Sequence, residues 1–392
     1  MFLFLLFILV QISASSEIEK LILYALENSP RIKVYENLKR SVKHRESYSK
    51  NLPNPSLVVG LNNLPLNRPY PSKLEPMSSL SFGIAQMYVL PIKREKEADV
   101  SIAEFLLLSS REELLKRELI RDIRLKYLEW LYTFKEEEIL KSILKEIRSL
   151  EKITEENYRF GKATLSDLLS IKAEVIRVER EIRALQEERR LMKEELYYLI
   201  GGSVELKGED FKVQDVDLES LKPELSPYLK VLKDEMERVL KEVERAKVEY
   251  LPDFEFMAEY MIRPGLDNMF SLRLSMSLPI RRSRREDLMV LEKLEELRAK
   301  EKELENMILE VRRSINSLKV EKSKNLELMG LTKSLLEERE RELKAMEAYY
   351  RFGRVDFRDL LRLQRELWEL RMELLRLELE LKKINLRAEV FL

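Results

Sequence analysis

The chain carries the same pattern twice. Tyr158-Arg159-Phe160-Gly161-Lys162 recurs as Tyr350-Arg351-Phe352-Gly353-Arg354, Asp167-Leu168-Leu169 as Asp359-Leu360-Leu361, and Glu174 as Glu366, all 192 positions apart. Leu52-Pro53 is echoed by Leu251-Pro252, and Leu90-Pro91-Ile92 by Leu278-Pro279-Ile280. Whatever one half folds into, the other half must repeat. The resulting division is a leader over 1–15, a first structural repeat over 16–200, a linking or equatorial segment over 201–222 and a second repeat over 223–392.

Each repeat predicts a short helix (Pro30 to Lys50, then Pro227 to Tyr250), two alternating segments, a very long helix, a glycine turn and a medium helix. The long helices are expected from about Glu95 to Tyr158 and from about Arg284 to Tyr350, free of proline and glycine except for Gly330. At a rise of about 1.5 Å per residue each would reach on the order of 95–100 Å, which no compact globule needs. The short and medium helices together are about as long as the long helix, so each repeat reads as two rods of equal height. The medium helices, about Thr164 to Ile200 and Asp356 to Val390, carry apolar seams. Leu360, Leu363, Leu367, Leu370, Leu374, Leu377, Leu381 and Ile384 keep a three-four spacing, and Leu168, Ile171, Val175, Val178, Ile182 and Leu185 share its phase until Arg189 interrupts. Such seams favour coiled-coil packing.

The alternating segments have period two. Phe254, Phe256, Ala258, Tyr260 and Ile262 form one apolar row, and Phe270, Leu272, Leu274, Met276 and Leu278 another. Leu80, Phe82, Ile84, Tyr88 and Leu90 alternate with small or polar residues, as do Leu57, Val59 and Leu61. These are strands with one apolar face, about as long as a tilted strand needs to cross a bilayer. Nothing adjacent supplies a layer to cover that face. Open sheet edges are not tolerated in lipid, so four strands can serve a membrane only if several chains share one barrel. Proline at 53, 91, 252 and 279 marks the strand–helix junctions.

Composition closes other routes. The chain holds 71 Lys+Arg against 71 Asp+Glu, no cysteine and one histidine, His44. The balanced charge argues against nucleic-acid binding, and the missing cysteine removes disulfides, thiolate nucleophiles and a lipid anchor on cysteine. No metal cluster, phosphate loop or nucleophile constellation is present, so neither a cofactor nor catalysis is expected. Met1 to Val10 is an apolar run too short to span a bilayer as a helix. With the small and polar residues after it, this run reads as a cleaved export signal.

Taken in order, Ala25-Leu26-Glu27-Asn28-Ser29-Pro30, Leu52-Pro53-Asn54-Pro55, Met87-Tyr88-Val89-Leu90-Pro91-Ile92 and the two Tyr-Arg-Phe-Gly…Asp-Leu-Leu turns resemble the TolC family of outer-membrane efflux proteins over nearly the whole mature length. The Leu-Pro-Asn-Pro opening is most similar to the heavy-metal efflux branch. The resemblance implies a mainly α fold with a small β part: a homotrimer whose long coiled-coil helices form a periplasmic α-barrel and whose strands, four per chain, share one transmembrane β-barrel. It implies an outer-membrane channel, a passive exit duct of a tripartite efflux system. Its partners would be a periplasmic adaptor, an inner-membrane efflux pump and outer-membrane lipid.

The resemblance also implies two sites. The turn tips, Phe160, Gly161 and Lys162 in the first repeat and Phe352, Gly353 and Arg354 in the second, match the surface that the adaptor contacts. Asp359 matches a carboxylate lining the periplasmic aperture, Asp167 is its counterpart, and Tyr350 matches a tyrosine that holds the closed state. Arg362 stands where a second acidic position is expected, one turn after Asp359. A plain structural role, as first-turn helix aspartates, is the competing reading of the two carboxylates. A periplasmic coiled-coil adaptor or scaffold would explain the helices and the leader, but not four bilayer-length amphipathic strands.

Overall fold

A computed structural model of the chain describes residues 16–66, 69–351 and 355–391. The leader, 1–15, lies outside the described residues. The elements are α1 (Glu17–Asn28), α2 (Pro30–Ser49), β1 (Ser56–Asn62), β2 (Ser79–Tyr88), α3 (Pro91–Arg159), α4 (Leu165–Ile200), α5 (Pro227–Val248), β3 (Phe254–Ile262), β4 (Met269–Met276), α6 (Glu286–Arg351) and α7 (Phe357–Ala388). The order helix, two strands, long helix, medium helix therefore occurs twice. Prolines 30, 91 and 227 each stand first in a helix, where the fixed φ fits and the missing N–H is no loss. Hence α3 begins at Pro91, ahead of the Glu95 expected from the charge pattern. Helix α1 was not anticipated. Asn28-Ser29-Pro30 separates it from α2, and one apolar face of it, Ile18, Leu21, Ile22 and Ala25, is buried.

The chain divides into two compact units, each drawing on both repeats. One comprises Val34–Glu112 and Tyr228–Met307. Its sheet runs β1-β2-β3-β4, antiparallel throughout. Its helices bury Val42, Ala98, Ala103, Leu107, Val239 and Val243. Charged side chains bridge these helices: Arg45 to Glu104 at 2.7 Å, Lys96 to Glu244 at 2.8 Å and Lys300 to Glu235 at 3.2 Å.

The other unit holds residues up to Lys33, Glu113–Pro227 and Ile308 onward. Its core is the coiled-coil seam. Leu140, Ile143, Ile147 and Leu150 of α3 pack with Leu168, Ile171, Val178 and Leu185 of α4 and with Phe357, Leu360 and Trp368 of α7. Arg189, the residue that breaks the α4 seam, reaches back onto α3. Its guanidinium meets Glu137 at 2.5 Å, donates to Thr133 Oγ1 and to the Thr133 carbonyl at 2.8 Å each, and lies 3.9 Å from the centre of the Phe134 ring. Glu137 also accepts from Lys141 at 2.9 Å and Gln186 at 3.0 Å. The Lys141 ammonium, helped by Gln186 and Arg189, outweighs burial and holds the Glu137 carboxyl at about 2.

Glu17 makes a second buried polar knot. Its carboxylate accepts from the Tyr127 hydroxyl at 2.6 Å and from the backbone N–H groups of Lys207, Gly208 and Glu209 at 2.5, 3.0 and 3.0 Å. Burial pushes this carboxyl up, but the four donors more than offset it and leave the group below the usual range. The segment 201–222 has no regular helix or strand, so its backbone groups need such partners; Val216, Leu218 and Leu221 bury its apolar side.

Candidate functional site

The sheet carries the first functional surface. The register pairs Leu57 with Ile84, Val59 with Phe82 and Leu61 with Leu80. It continues with Ile84 opposite Ala258, Phe82 opposite Tyr260 and Leu80 opposite Ile262. Phe256 faces Leu274, Ala258 faces Leu272, and Tyr260 faces Phe270. Because side chains alternate strictly along a strand, every one of these residues lies on the same face of the sheet. That face is open: Leu57 is 76 % exposed, Leu272 77 % and Ile84 58 %. The opposite face carries Ser79, Ser81, Gly83, Ala85, Glu259 and Arg273, and Ser81, Ala85 and Glu259 are buried. A water-soluble sheet arranges its faces the other way round. Gly83 is required by packing, since a Cβ there would sit 2.8 Å from the Ala258 carbonyl oxygen. Among the described residues no helix is long and apolar enough to cross a membrane.

The second surface is the helix turn of each repeat. In the first repeat α3 ends in a Schellman motif: Lys162 N–H donates to the Asn157 carbonyl at 2.7 Å and Gly161 N–H to that of Tyr158 at 3.0 Å. Gly161 has φ +69°, a conformation that suits glycine, with open space where a side chain would project. Phe160 is 78 % exposed, an apolar ring standing free at the turn. The second tip, Phe352, Gly353 and Arg354, lies outside the described residues.

The two aspartates occupy equivalent positions, third in their helices, but are held differently. Asp167 belongs to a capping box with Thr164: its carboxylate accepts from Thr164 N–H at 2.9 Å and Thr164 Oγ1 at 2.7 Å, while Asp167 N–H donates to Thr164 Oγ1 at 3.2 Å. In α7 the cap is Asp356, whose carboxylate accepts from Arg358 N–H at 2.9 Å. Asp359 is thereby left out of the cap. It stays half exposed and pairs with Arg362 at 3.1 Å. Tyr350 closes α6 with its ring centre 6.1 Å from that of Phe357, and its hydroxyl lies 3.5 Å from Asn157 Nδ2. Tyr350 therefore links the α3 turn to the start of α7. The lone histidine, His44, is exposed on α2. Sequence reasoning missed the use of Arg189 and Glu17; a charge inside an apolar seam is the signal that points to the first.

No protein-family model and no curated protein matches the chain. Solved structures do. The outer membrane protein VceC from Vibrio cholerae superposes with a TM-score of 0.78 at 15 % identity, covering 97 % of both chains. A membrane protein from Pseudomonas aeruginosa gives 0.81 at 13 % identity over 96 % of this chain and 90 % of its own. The CmeC outer membrane channel of Campylobacter jejuni gives 0.75 at 12 % over 95 % and 85 %. The repeated long helices and the four-stranded sheet with its apolar face outward thus compose the fold of the TolC-like outer-membrane channels.

Proposed function

We propose that this protein is the outer-membrane channel of a tripartite efflux system, a passive duct fed by an inner-membrane pump through a periplasmic adaptor. The observation that carries this reading is the unshielded apolar face running across all four strands. Burying such a face in hydrocarbon while closing the two free edges, β1 and β4, calls for further copies of the chain. Three copies give twelve strands, and the two repeats, 16–200 and 223–392, supply the helices of the tunnel wall. The solved neighbours named outer membrane channels support the same assignment.

The turn tips at Phe160, Gly161 and Lys162, and at Phe352, Gly353 and Arg354, are the adaptor-docking surface in this reading. Asp359 is the aperture residue. It is half exposed and set at a helix start, and three copies around an axis would make a ring of carboxylates that favours cations. Each is partly offset by its own Arg362. Tyr350 holds the resting contact between α3 and α7. The Leu52-Pro53-Asn54-Pro55 opening supports the heavy-metal branch.

Reconstitution into planar bilayers tests the function. The detergent-extracted protein should form oligomers and give discrete conductance steps. Leu272→Arg, which sets a charge on the apolar face at a cost of about 2–4 kcal/mol near mid-membrane, should abolish insertion. A monomer that stays in solution without detergent and conducts nothing would overturn the assignment.

A further inference from the structure

The junction between β4 and α6 holds a cluster of arginines that the duct function does not use. After Met276, the chain continues through Leu278 and Ile280, 61 % and 82 % exposed, into Arg281-Arg282-Ser283-Arg284-Arg285. A tight turn compacts the cluster: Arg284 N–H donates to the Arg281 carbonyl at 2.9 Å and Arg285 N–H to the same carbonyl at 3.2 Å. All four arginines are exposed, and among the described residues none of them forms an ion pair. The adjacent acids do not neutralise them. Glu286 is buried, and Asp287 takes the Tyr250 hydroxyl at 2.5 Å. The guanidinium of Arg282 lies 6.0 Å from the centre of the Tyr250 ring.

The first repeat provides the internal control. Aligning Leu90-Pro91-Ile92 with Leu278-Pro279-Ile280 sets Lys93-Arg94-Glu95-Lys96-Glu97 against the arginine cluster. There the cations are interleaved with acids and committed. Lys93 is buried against Asp253 at 2.8 Å and Glu249 at 3.3 Å. Arg94 donates to the Val89 carbonyl at 3.2 Å and to that of Lys50. Lys96 pairs with Glu244 at 2.8 Å. The same junction in the second repeat carries four guanidinium groups that form no ion pair among the described residues, directly beyond exposed apolar side chains.

We propose that Arg281, Arg282, Arg284 and Arg285 grip the phosphates of anionic glycerophospholipids in the leaflet next to the helical tunnel. This rests on the reading that the sheet enters a bilayer. Apolar side chains followed at once by free arginines are the pattern of a membrane–water boundary. Arginine, planar and always charged, binds phosphate through paired N–H groups. Each basic residue near an anionic surface multiplies affinity by about fivefold. The cluster would fix the depth at which the barrel sits and select its neighbouring lipids.

The test uses the full chain in nanodiscs of mixed phosphatidylcholine and phosphatidylglycerol, extracted gently and weighed by native mass spectrometry. The native protein should retain phosphatidylglycerol over phosphatidylcholine by roughly tenfold or more. The variant R281Q/R282Q/R284Q/R285Q should retain the two lipids about equally. A charge-matched control, R298Q/K302Q/R312Q/R341Q on the body of α6, should keep the preference. Retention of phosphatidylglycerol by the first variant, or equal loss in the control, would overturn the proposal. Insertion into pure phosphatidylcholine is a separate arm: failure of the native protein there would sink the membrane reading of the sheet instead.

Discussion

The two repeats share one order of elements and use their polar groups differently. The first commits them internally. Asp167 closes a capping box, Arg189 and Glu137 form a buried clamp inside the α3–α4 seam, and Lys93 is buried between two carboxylates. The second holds the equivalents less tightly. Asp359 is half exposed in a pair with its neighbour Arg362, Leu381 stands where Arg189 does in the first repeat, and Arg281 stands where Lys93 does. The long helices differ likewise. Helix α3 buries Leu119, Ile123, Tyr127, Leu128, Ile143 and Ile147, whereas Leu309, Val320, Leu326, Leu331 and Leu335 of α6 are exposed. A duplicated chain can thus keep one order of elements while the two copies place their charges differently.

The largest effect should come from erasing the difference at the clamp. Arg189→Leu copies the second repeat and removes the shortest contact of the buried Glu137 carboxylate, leaving it to Lys141 and Gln186, and thermal or denaturant unfolding in detergent should show a loss of about 1–3 kcal/mol. Adding Glu137→Met, the residue 192 positions before Met329, should recover most of that loss, because removing both partners of a buried pair is near neutral. Failure of the double variant to recover would mean that Thr133 and Phe134, rather than the charge pair, hold α4 to α3.

Acid sharpens the same comparison. The Glu137 carboxyl is depressed from its ordinary 4.5 to about 2. Its contribution is therefore complete above about pH 4.5 and lost as pH falls toward 2. The native protein should lose more stability across that window than the Arg189→Leu, Glu137→Met double variant, as read from unfolding midpoints at stepped pH. Equal slopes would remove the clamp from the acid response.

The two aspartates give the smallest changes in stability and the clearest separation. Asp167→Ala breaks the capping box and should cost about 1 kcal/mol, with little change in conductance. Asp359→Ala removes an exposed ion pair, worth about 0–1 kcal/mol, and should raise conductance or weaken cation preference in planar bilayers. If Asp167→Ala alters ion selection and Asp359→Ala does not, the assignment of the aperture to the second repeat is wrong.

Much of the fold was legible because it is local. Strand alternation fixed which residues share the apolar face, and the Leu-Leu-Leu spacing of α7 fixed its seam, since both depend on neighbours two to four positions away. The Glu17 knot was not legible, because its partners Tyr127 and Glu209 lie far along the chain on other elements. Helix α1 was missed for a related reason: its twelve residues have an apolar face whose partners lie far along the chain, as in the α1–α4 contact. At the candidate aperture, sequence placed Asp167 and Asp359 at equivalent positions. What it did not reveal is that Thr164 draws one into a cap, whereas Asp356 caps α7 itself and frees the other.

The pairing of β2 with β3, from Leu80 opposite Ile262 to Tyr88 opposite Phe254, joins strands on either side of nearly half the chain. During synthesis the β1–β2 hairpin therefore emerges greasy and unmatched, and must wait for α3, α4 and α5 before its companion exists. Such distant pairing is slow to form and prone to clumping.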